Sequence, residues 1–218
     1  MASRLEDEDQ AADGSESDAH TYDVARLLTF SDGVFAIAIT LLVLSIPVPE
    51  LAGGARVPTD RLPDELLNLL PRVTAFTMSF VLVGLYWMRH HQMMRGVKRA
   101  EPRLLWFNLL LLLFVCLLPF STGLMARYGD TLPATEVYAA NLVMVSSGFS
   151  LVSVHLVAGG QLPRQAAVRS GLFTLAFLTS MVVAPWRVQA AWAVWLVVSL
   201  GTRVLERTLA SRRGGERS

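Results

Sequence analysis

In RLLTFSDGVFAIAITLLVLSIP, residues 26–47, a short charged and polar head precedes a nearly unbroken apolar run. A run of this length, close to the ~20 residues that an α-helix needs to cross a bilayer, predicts a membrane-spanning helix. The whole chain has the same character, since 53% of its 218 residues are hydrophobic and only 17% are charged. This composition is typical of a polytopic membrane protein and argues against a water-soluble enzyme.

Five further apolar segments follow the first, each near the length that a bilayer requires. The predicted spans are 24–46, 70–90, 104–126, 135–158, 167–185 and 187–206. We therefore expect an all-α polytopic membrane protein whose six transmembrane helices occupy residues 23–207. Pro119 and Pro185 are expected to lie near helix ends.

The two ends of the chain differ in charge from the apolar middle. Residues 1–20 hold seven acidic residues against one basic residue and too little apolar content to form a core. We predict that residues 1–22 are a disordered acidic tail and that residues 208–218 are a basic tail. No secretory leader is expected, because the N-terminus lacks a basic stretch followed by an apolar one.

Lys and Arg residues are distributed unequally between the two sides that six spans would create. Fourteen of the nineteen fall on the side that holds both termini, most of them in the loop after the second span and in the C-terminal tail. The positive-inside rule then predicts a multi-pass protein of the cell membrane with both termini in the cytoplasm.

Asp32 is an ionisable residue one or two turns inside the first span, where an unpaired charge is expensive. It should therefore face protein or water and bond to partners from other helices. Polar residues on the same membrane side are Trp87, His90 and His91 at the end of the second span and Asn108 at the start of the third. Structural anchoring of the helix end and a direct functional role are both consistent with such a network.

Further along the first span, Ile37, Thr40, Leu41 and Leu44 recur at i, i+3, i+4 and i+7 and so share one stripe of the helix. If several copies met on a symmetry axis, Ile37 and Leu44 would form apolar rings that close by dewetting, and Thr40 would supply a polar ring. Periodicity alone equally fits ordinary packing or lipid contact.

A family resemblance favours the pore interpretation. Arg26, Phe30, Ser31 and Asp32 form an RxxxFSD pattern, and its continuation GVFAIAITLLVL resembles the first helix of the transmembrane protein 175 family. The segments YWMRHH, ending the second span, and LLWFNLLLLL, opening the third, are also similar, so the resemblance covers about residues 26–119. It implies a bacterial-type subunit of six helices, a homotetramer around one pore lined by the first helices, and potassium-preferring cation conduction without a carbonyl filter.

The resemblance also implies roles for individual residues. Arg26, Phe30, Ser31 and Asp32 would be the motif, and Ile37, Thr40 and Leu44 would line the pore, to which periodicity adds Leu41. The buried polar partners of the motif would be Trp87, His91 and Asn108, with the choice between His90 and His91 left open. The expected partners are further copies of the chain, the lipid bilayer, and K⁺ with other monovalent cations, with no cofactor and no nucleic acid.

Two other functions remain open at this point. A small proton-coupled secondary transporter could use Asp32 and His155 as a proton relay, and it predicts helices interrupted near the midplane. A membrane scaffold without transport is the other alternative. Enzymatic activity is not expected, because the sequence shows no GxSxG, Walker A or dinucleotide fingerprint and no metal-ligand spacing among its histidines.

Overall fold

The structure is a computed structural model that describes residues 23–51, 54–98 and 100–183. These residues form seven α-helices and one 3₁₀ turn, with no β-strand among them. The helices are α1 (Val24–Leu41), α2 (Leu62–Leu67), α3 (Leu70–Met94), α4 (Pro102–Cys116), α5 (Leu118–Tyr128), α6 (Leu132–Ala158) and α7 (Arg164–Val183), and the 3₁₀ turn Leu42–Ser45 extends α1.

Four stretches of the described chain are long and apolar enough to cross a membrane. They are Val24–Ser45, Leu62–Met94, Pro102–Tyr128 and Leu132–Ala158. They coincide with the first four predicted spans, so the all-α membrane class and these four spans are confirmed. The fifth prediction, 167–185, overlaps α7 and continues two residues beyond it. The sixth prediction, 187–206, and both predicted tails lie outside the described residues.

Proline marks the start of most of these helices. Each of α2 to α6 has a proline in its first two positions, where the missing N–H would have no helical acceptor in any case. Helix α1 begins differently, because the Asp23 carboxylate caps it by accepting the Ala25 N–H at 2.8 Å. Short sequence signals therefore set where each span begins.

The third span is broken in its interior at Leu117, between α4 and α5. Pro119 has no N–H to donate to the carbonyl of Val115. Just before it, the Leu117 N–H bonds to the carbonyl of Phe114, three residues back, at 3.2 Å. Pro119 does lie at a helix end, as expected, but that end falls near the middle of the span. The interruption is one residue long, so α4 and α5 together still cross as one apolar stretch.

Helix α6 is the centre of the described bundle, since it packs against α4, α5 and α7 and has more buried residues than any other helix described. Helix α1 lies on the other side, against α3 and α4. Helix α4 approaches α6 closely at Gly148, where an added Cβ would lie 3.1 Å from both Cα and Cβ of Leu111. Small residues are what allow membrane helices to approach this closely.

This close approach gives a test of the packing. We expect Gly148→Leu to destabilise the purified protein by about 1 to 3 kcal/mol, the usual cost of overpacking, because the new side chain must displace the backbone of Leu111. Gly171→Leu is the matched control, since its Cβ would meet nothing within 4 Å. Thermal unfolding in detergent should show a lower midpoint for the first variant only, and equal midpoints would contradict the α4–α6 packing.

Candidate functional site

Helix α1 has one face inside the bundle and one face outside it. The inner face consists of Ser31, Phe35 and Ala38, and Leu42 of the 3₁₀ turn continues it. These positions are separated by three or four residues, so they lie on one side of the helix. They pack against α3 and α4, which leaves the opposite side of α1 without a partner among the described residues.

The outer face of α1 carries the four residues of the predicted pore stripe. Ile37 is 61% exposed, Leu41 43% and Leu44 75%, and Thr40 is exposed between them. The Thr40 hydroxyl donates to the Ile37 carbonyl at 2.8 Å, so its proton is used within the helix and its oxygen remains an acceptor. This face is therefore an apolar stripe with one oxygen in its middle.

A chain of hydrogen bonds ties the inner face of α1 to its neighbours. The Asn108 amide nitrogen donates to the Ser31 hydroxyl at 2.9 Å, and the Asn108 amide oxygen lies 2.7 Å from Nε2 of His90. The Ser31 hydroxyl in turn donates to the Leu27 carbonyl at 2.9 Å. Ser31, His90 and Asn108 are all completely buried, so this chain joins α1, α3 and α4 where water cannot replace it.

Asp32 has a separate partner on α3. Its carboxylate accepts the indole N–H of Trp87 at 2.8 Å. The Trp87 ring lies against the His91 imidazole, with 5.8 Å between ring centroids, and the Arg95 Nε donates to Nε2 of His91 at 3.1 Å. The carboxylate is thus held by an indole donor, as its depth in the span requires.

The structure brings together most, but not all, of the residues singled out from the sequence. Ser31 and Asp32 meet Asn108 and Trp87, whereas Phe30 is 52% exposed and Arg26 is exposed. The two histidines have different surroundings, since His90 bonds to Asn108 and His91 packs against Trp87.

His90 could have been chosen from helical periodicity. Val83, Tyr86, His90 and Met94 follow one another at intervals of three or four residues and form the buried face of α3. His91 is one residue further, about 100° around the helix, and so points toward the side where Trp87 lies. The family resemblance by itself does not distinguish His90 from His91.

A second polar layer, which sequence analysis missed, ties the other half of the bundle. The Thr122 hydroxyl donates to the Ser79 hydroxyl at 2.9 Å, and Ser79 also bonds to the Tyr138 hydroxyl at 3.0 Å. Nearby, the Asn141 amide donates to the Ser121 hydroxyl at 2.9 Å. Isolated Ser and Thr residues in apolar runs give no sign of their partners, which come from α3, α5 and α6.

His155 does not share partners with Asp32. Its Nε2 lies 3.6 Å from a Glu101 carboxylate oxygen, and its ring packs edge-on against Phe107. Within the part of the chain that the structure describes, no group of three or more His, Cys, Asp or Glu residues could hold a metal ion.

The sequence of this chain matches a family profile and is similar to several known proteins. Residues 26–119 match the profile of the family described as endosomal/lysosomal potassium channel TMEM175. A potassium channel of Chamaesiphon minutus is 34% identical over 194 residues, which cover 82% of this chain and 89% of that protein. The human endosomal/lysosomal proton channel TMEM175 is 34% identical over 134 residues, 58% of this chain and 26% of that protein.

A solved structure agrees with the sequence comparison. The crystal structure of a lysosomal potassium-selective channel TMEM175 homologue from Chamaesiphon minutus superposes with a TM-score of 0.74 at 30% identity. The match covers 83% of this chain and 96% of that one. The likeness therefore extends beyond the motif helices to most of the bundle.

The buried network generates a prediction of its own. We expect Asn108→Leu to lower stability by about 1 to 3 kcal/mol, because His90 and Ser31 would lose their partner in a place without water. Asn68→Leu, at an exposed position, should change little. Thermal unfolding and gel filtration would measure both, and equal stability of the two variants would show that the network does not hold α1 in place.

Proposed function

Because this chain belongs to the endosomal/lysosomal potassium channel TMEM175 family, we propose that it conducts K⁺ passively through a pore lined by α1 of each subunit. The observation that carries the proposal is the contrast between the two faces of α1. One face is tied to α3 and α4 by buried hydrogen bonds, and the other presents Ile37, Thr40 and Leu44 to the outside of the single subunit.

In an assembly of several copies of the chain, the outer face of α1 would line the pore. Around a symmetry axis, four α1 helices would place Ile37 and Leu44 in two apolar rings with the Thr40 oxygens between them. A narrow apolar ring excludes water unless it widens, so the rings would act as gates. We propose a homotetramer on this basis, in keeping with the single copy of the motif in each chain.

Selectivity would have to arise without a loop of backbone carbonyls. From Val24 to Leu41 the carbonyls of α1 belong to an α-helix and are largely committed to its own ladder. The oxygen available on the outer stripe is that of Thr40, flanked by apolar side chains. A preference for K⁺, whose hydration shell is lost more readily than that of Na⁺, would then depend on dehydration in the apolar rings and on the Thr40 ring.

The orientation is part of the same proposal. The asymmetry of Lys and Arg favours a cell-membrane protein with both termini in the cytoplasm. The Asp32 and Ser31 network would then lie at the cytoplasmic half of the pore helix, and Leu44 would lie toward the outer half.

A proton-coupled transporter is the second candidate. The observation in its favour is the interruption of the third span at Leu117, since broken helices near the midplane are typical of such transporters. Against it, Asp32 and His155 have separate partners, Trp87 and Glu101, so the described contacts do not join them into a relay.

The gate can be tested by flux. We expect Ile37→Ser to raise passive K⁺ flux through purified protein in liposomes several-fold, because a polar ring holds water that an apolar ring expels. Leu113→Ser is the matched control, since Leu113 is 55% exposed at a similar depth on α4. Flux that appears only with an imposed proton gradient would favour the transporter, and an unchanged flux in Ile37→Ser would contradict the pore assignment.

The oligomeric state can be tested by cross-linking. With the exposed Cys116 replaced by Ser, each Leu44→Cys chain has one thiol, and a four-armed maleimide should give a ladder that ends at four chains, since the pore stripes face one another. Leu113→Cys in the same background should give a weaker ladder. A ladder that ends at two chains, or a light-scattering mass of two 23.9 kDa chains, would contradict the tetramer.

A further inference from the structure

The outer face of α1 continues beyond Ile37 toward the start of the helix. Phe30 precedes Ile37 by seven residues, so it lies about 10 Å further along the helix and is offset by only about 20° around it. The same seven-residue spacing separates Ile37 from Leu44, and it is the spacing at which parallel helices meet in a bundle. Phe30 is therefore on the side of α1 that would face the pore.

The Phe30 ring is not used in the packing of its own subunit. It is 52% exposed, and no ring contact to it occurs among the residues that the structure describes. Phe35, five residues later, is by contrast completely buried, with its ring centroid 5.5 Å from that of His90. Since the face of an aromatic ring attracts cations, the exposed Phe30 ring is available to a positively charged ligand.

Gly33 leaves free space between Phe30 and Ile37. It is exposed on the same side of α1, four residues before Ile37, and an added Cβ there would meet nothing within 4 Å. Packing inside the subunit therefore does not require a glycine, which is an unfavourable residue in the interior of a helix. Where copies of α1 face one another, the space between them would widen at Gly33. We call this space, bounded by Phe30 and Ile37, the Phe30–Ile37 chamber.

The charges at this end of α1 favour a cation in the chamber. Asp32 is adjacent to Gly33 and half-buried, and its carboxylate accepts the N–H of the neutral Trp87 indole at 2.8 Å, a contact that leaves its negative charge in place. Asp23 and Arg26, nearer the start of the helix, have opposite formal charges, so each copy contributes a net negative charge. Charges of one sign around a cavity with apolar walls concentrate ions of the opposite sign.

These features fit a cation that is larger and less hydrated than K⁺. We propose that the Phe30–Ile37 chamber binds organic monovalent cations of the quaternary ammonium class and that a bound cation blocks the path of K⁺. The site rests on the proposed function, because the chamber exists only where copies of α1 face one another. The faces of the Phe30 rings would contact the ammonium group, as aromatic side chains do in quaternary ammonium sites. Its alkyl groups would contact the apolar side chains of Phe30 and Ile37.

The site can be tested with tetrabutylammonium and the full-length purified assembly. Isothermal titration calorimetry measures binding directly, and planar-bilayer recordings measure the block of K⁺ current with the compound added to each side in turn. We expect block from one side only, because the Ile37 ring separates the chamber from the other mouth of the pore. Phe30→Leu should raise both the dissociation constant and the half-blocking concentration about tenfold, since leucine is apolar but has no aromatic face, whereas Phe30→Tyr should stay close to the wild type.

Two matched controls separate the chamber from the rest of the surface. Phe120→Leu removes an aromatic ring that is 66% exposed on α5, away from the stripe of α1, and should leave the binding of tetrabutylammonium unchanged. Gly33→Ala should weaken binding, because its methyl groups would occupy the chamber. Gly171→Ala should not, although Gly171 is also an exposed helical glycine whose added Cβ would meet nothing within 4 Å.

Direct binding and K⁺ current together distinguish the site from the conduction on which it rests. K⁺ current without binding of tetrabutylammonium would overturn the site and leave the proposed conduction standing. Equal dissociation constants in the wild type, Phe30→Leu and Phe120→Leu would also overturn the site, as would equal block from both sides. Binding that Phe30→Leu weakens, in an assembly that carries no K⁺ current, would support the site and contradict the proposed conduction.

Discussion

The hydrogen bonds that hold α1 against α3 and α4 are the constraint on which the other features depend. A serine and a carboxylate inside a membrane span need partners, and Asn108 and Trp87 supply them. These bonds fix the rotation of α1 about its own axis. Once Ser31 points inward, Ile37, Thr40 and Leu44 are directed outward, because the positions of a helix are separated by fixed angles. The apolar stripe is therefore a consequence of the polar network.

Two layers of buried polar side chains determine which helices of the bundle pair with one another. Apolar side chains contact lipid as readily as they contact one another, so burial alone does not determine how membrane helices pair. The Ser31–Asn108–His90 chain joins α1, α3 and α4, and the Ser79–Thr122–Tyr138 cluster joins α3, α5 and α6. Helix α3 belongs to both layers and so links α1 to the central helix α6. Gly148 complements them by letting α4 approach α6 closely.

The exposed stripe of α1 and the contact between α3 and α7 lie in two different regions of the molecule. Helix α1 presents the exposed stripe of Ile37, Leu41 and Leu44 on one side of the bundle. Elsewhere, Arg89 of α3 bonds to Ser170 of α7 and lies over the Phe173 ring. Arg89 is close in sequence to Trp87 and His90, yet their polar partners lie on different helices, α7 for Arg89 and α1 and α4 for the other two. Neighbouring residues of α3 thus bond to α1 and α4 on one side and to α7 on the other.

The membrane class, the first four spans and the candidate residues of α1 were predictable from the amino-acid sequence, because apolar run length and an intramembrane carboxylate are local signals. It also identified Trp87 and Asn108, which are rare polar groups at one depth. The packing of the helices shows that His90 is the partner of Asn108, that Leu117 interrupts the third span, and that Arg89 bonds to Ser170. Helical spacing places His90 on one face of α3, but the identity of these partners depends on how the helices are rotated and on contacts between distant segments, which one chain's spacing does not encode.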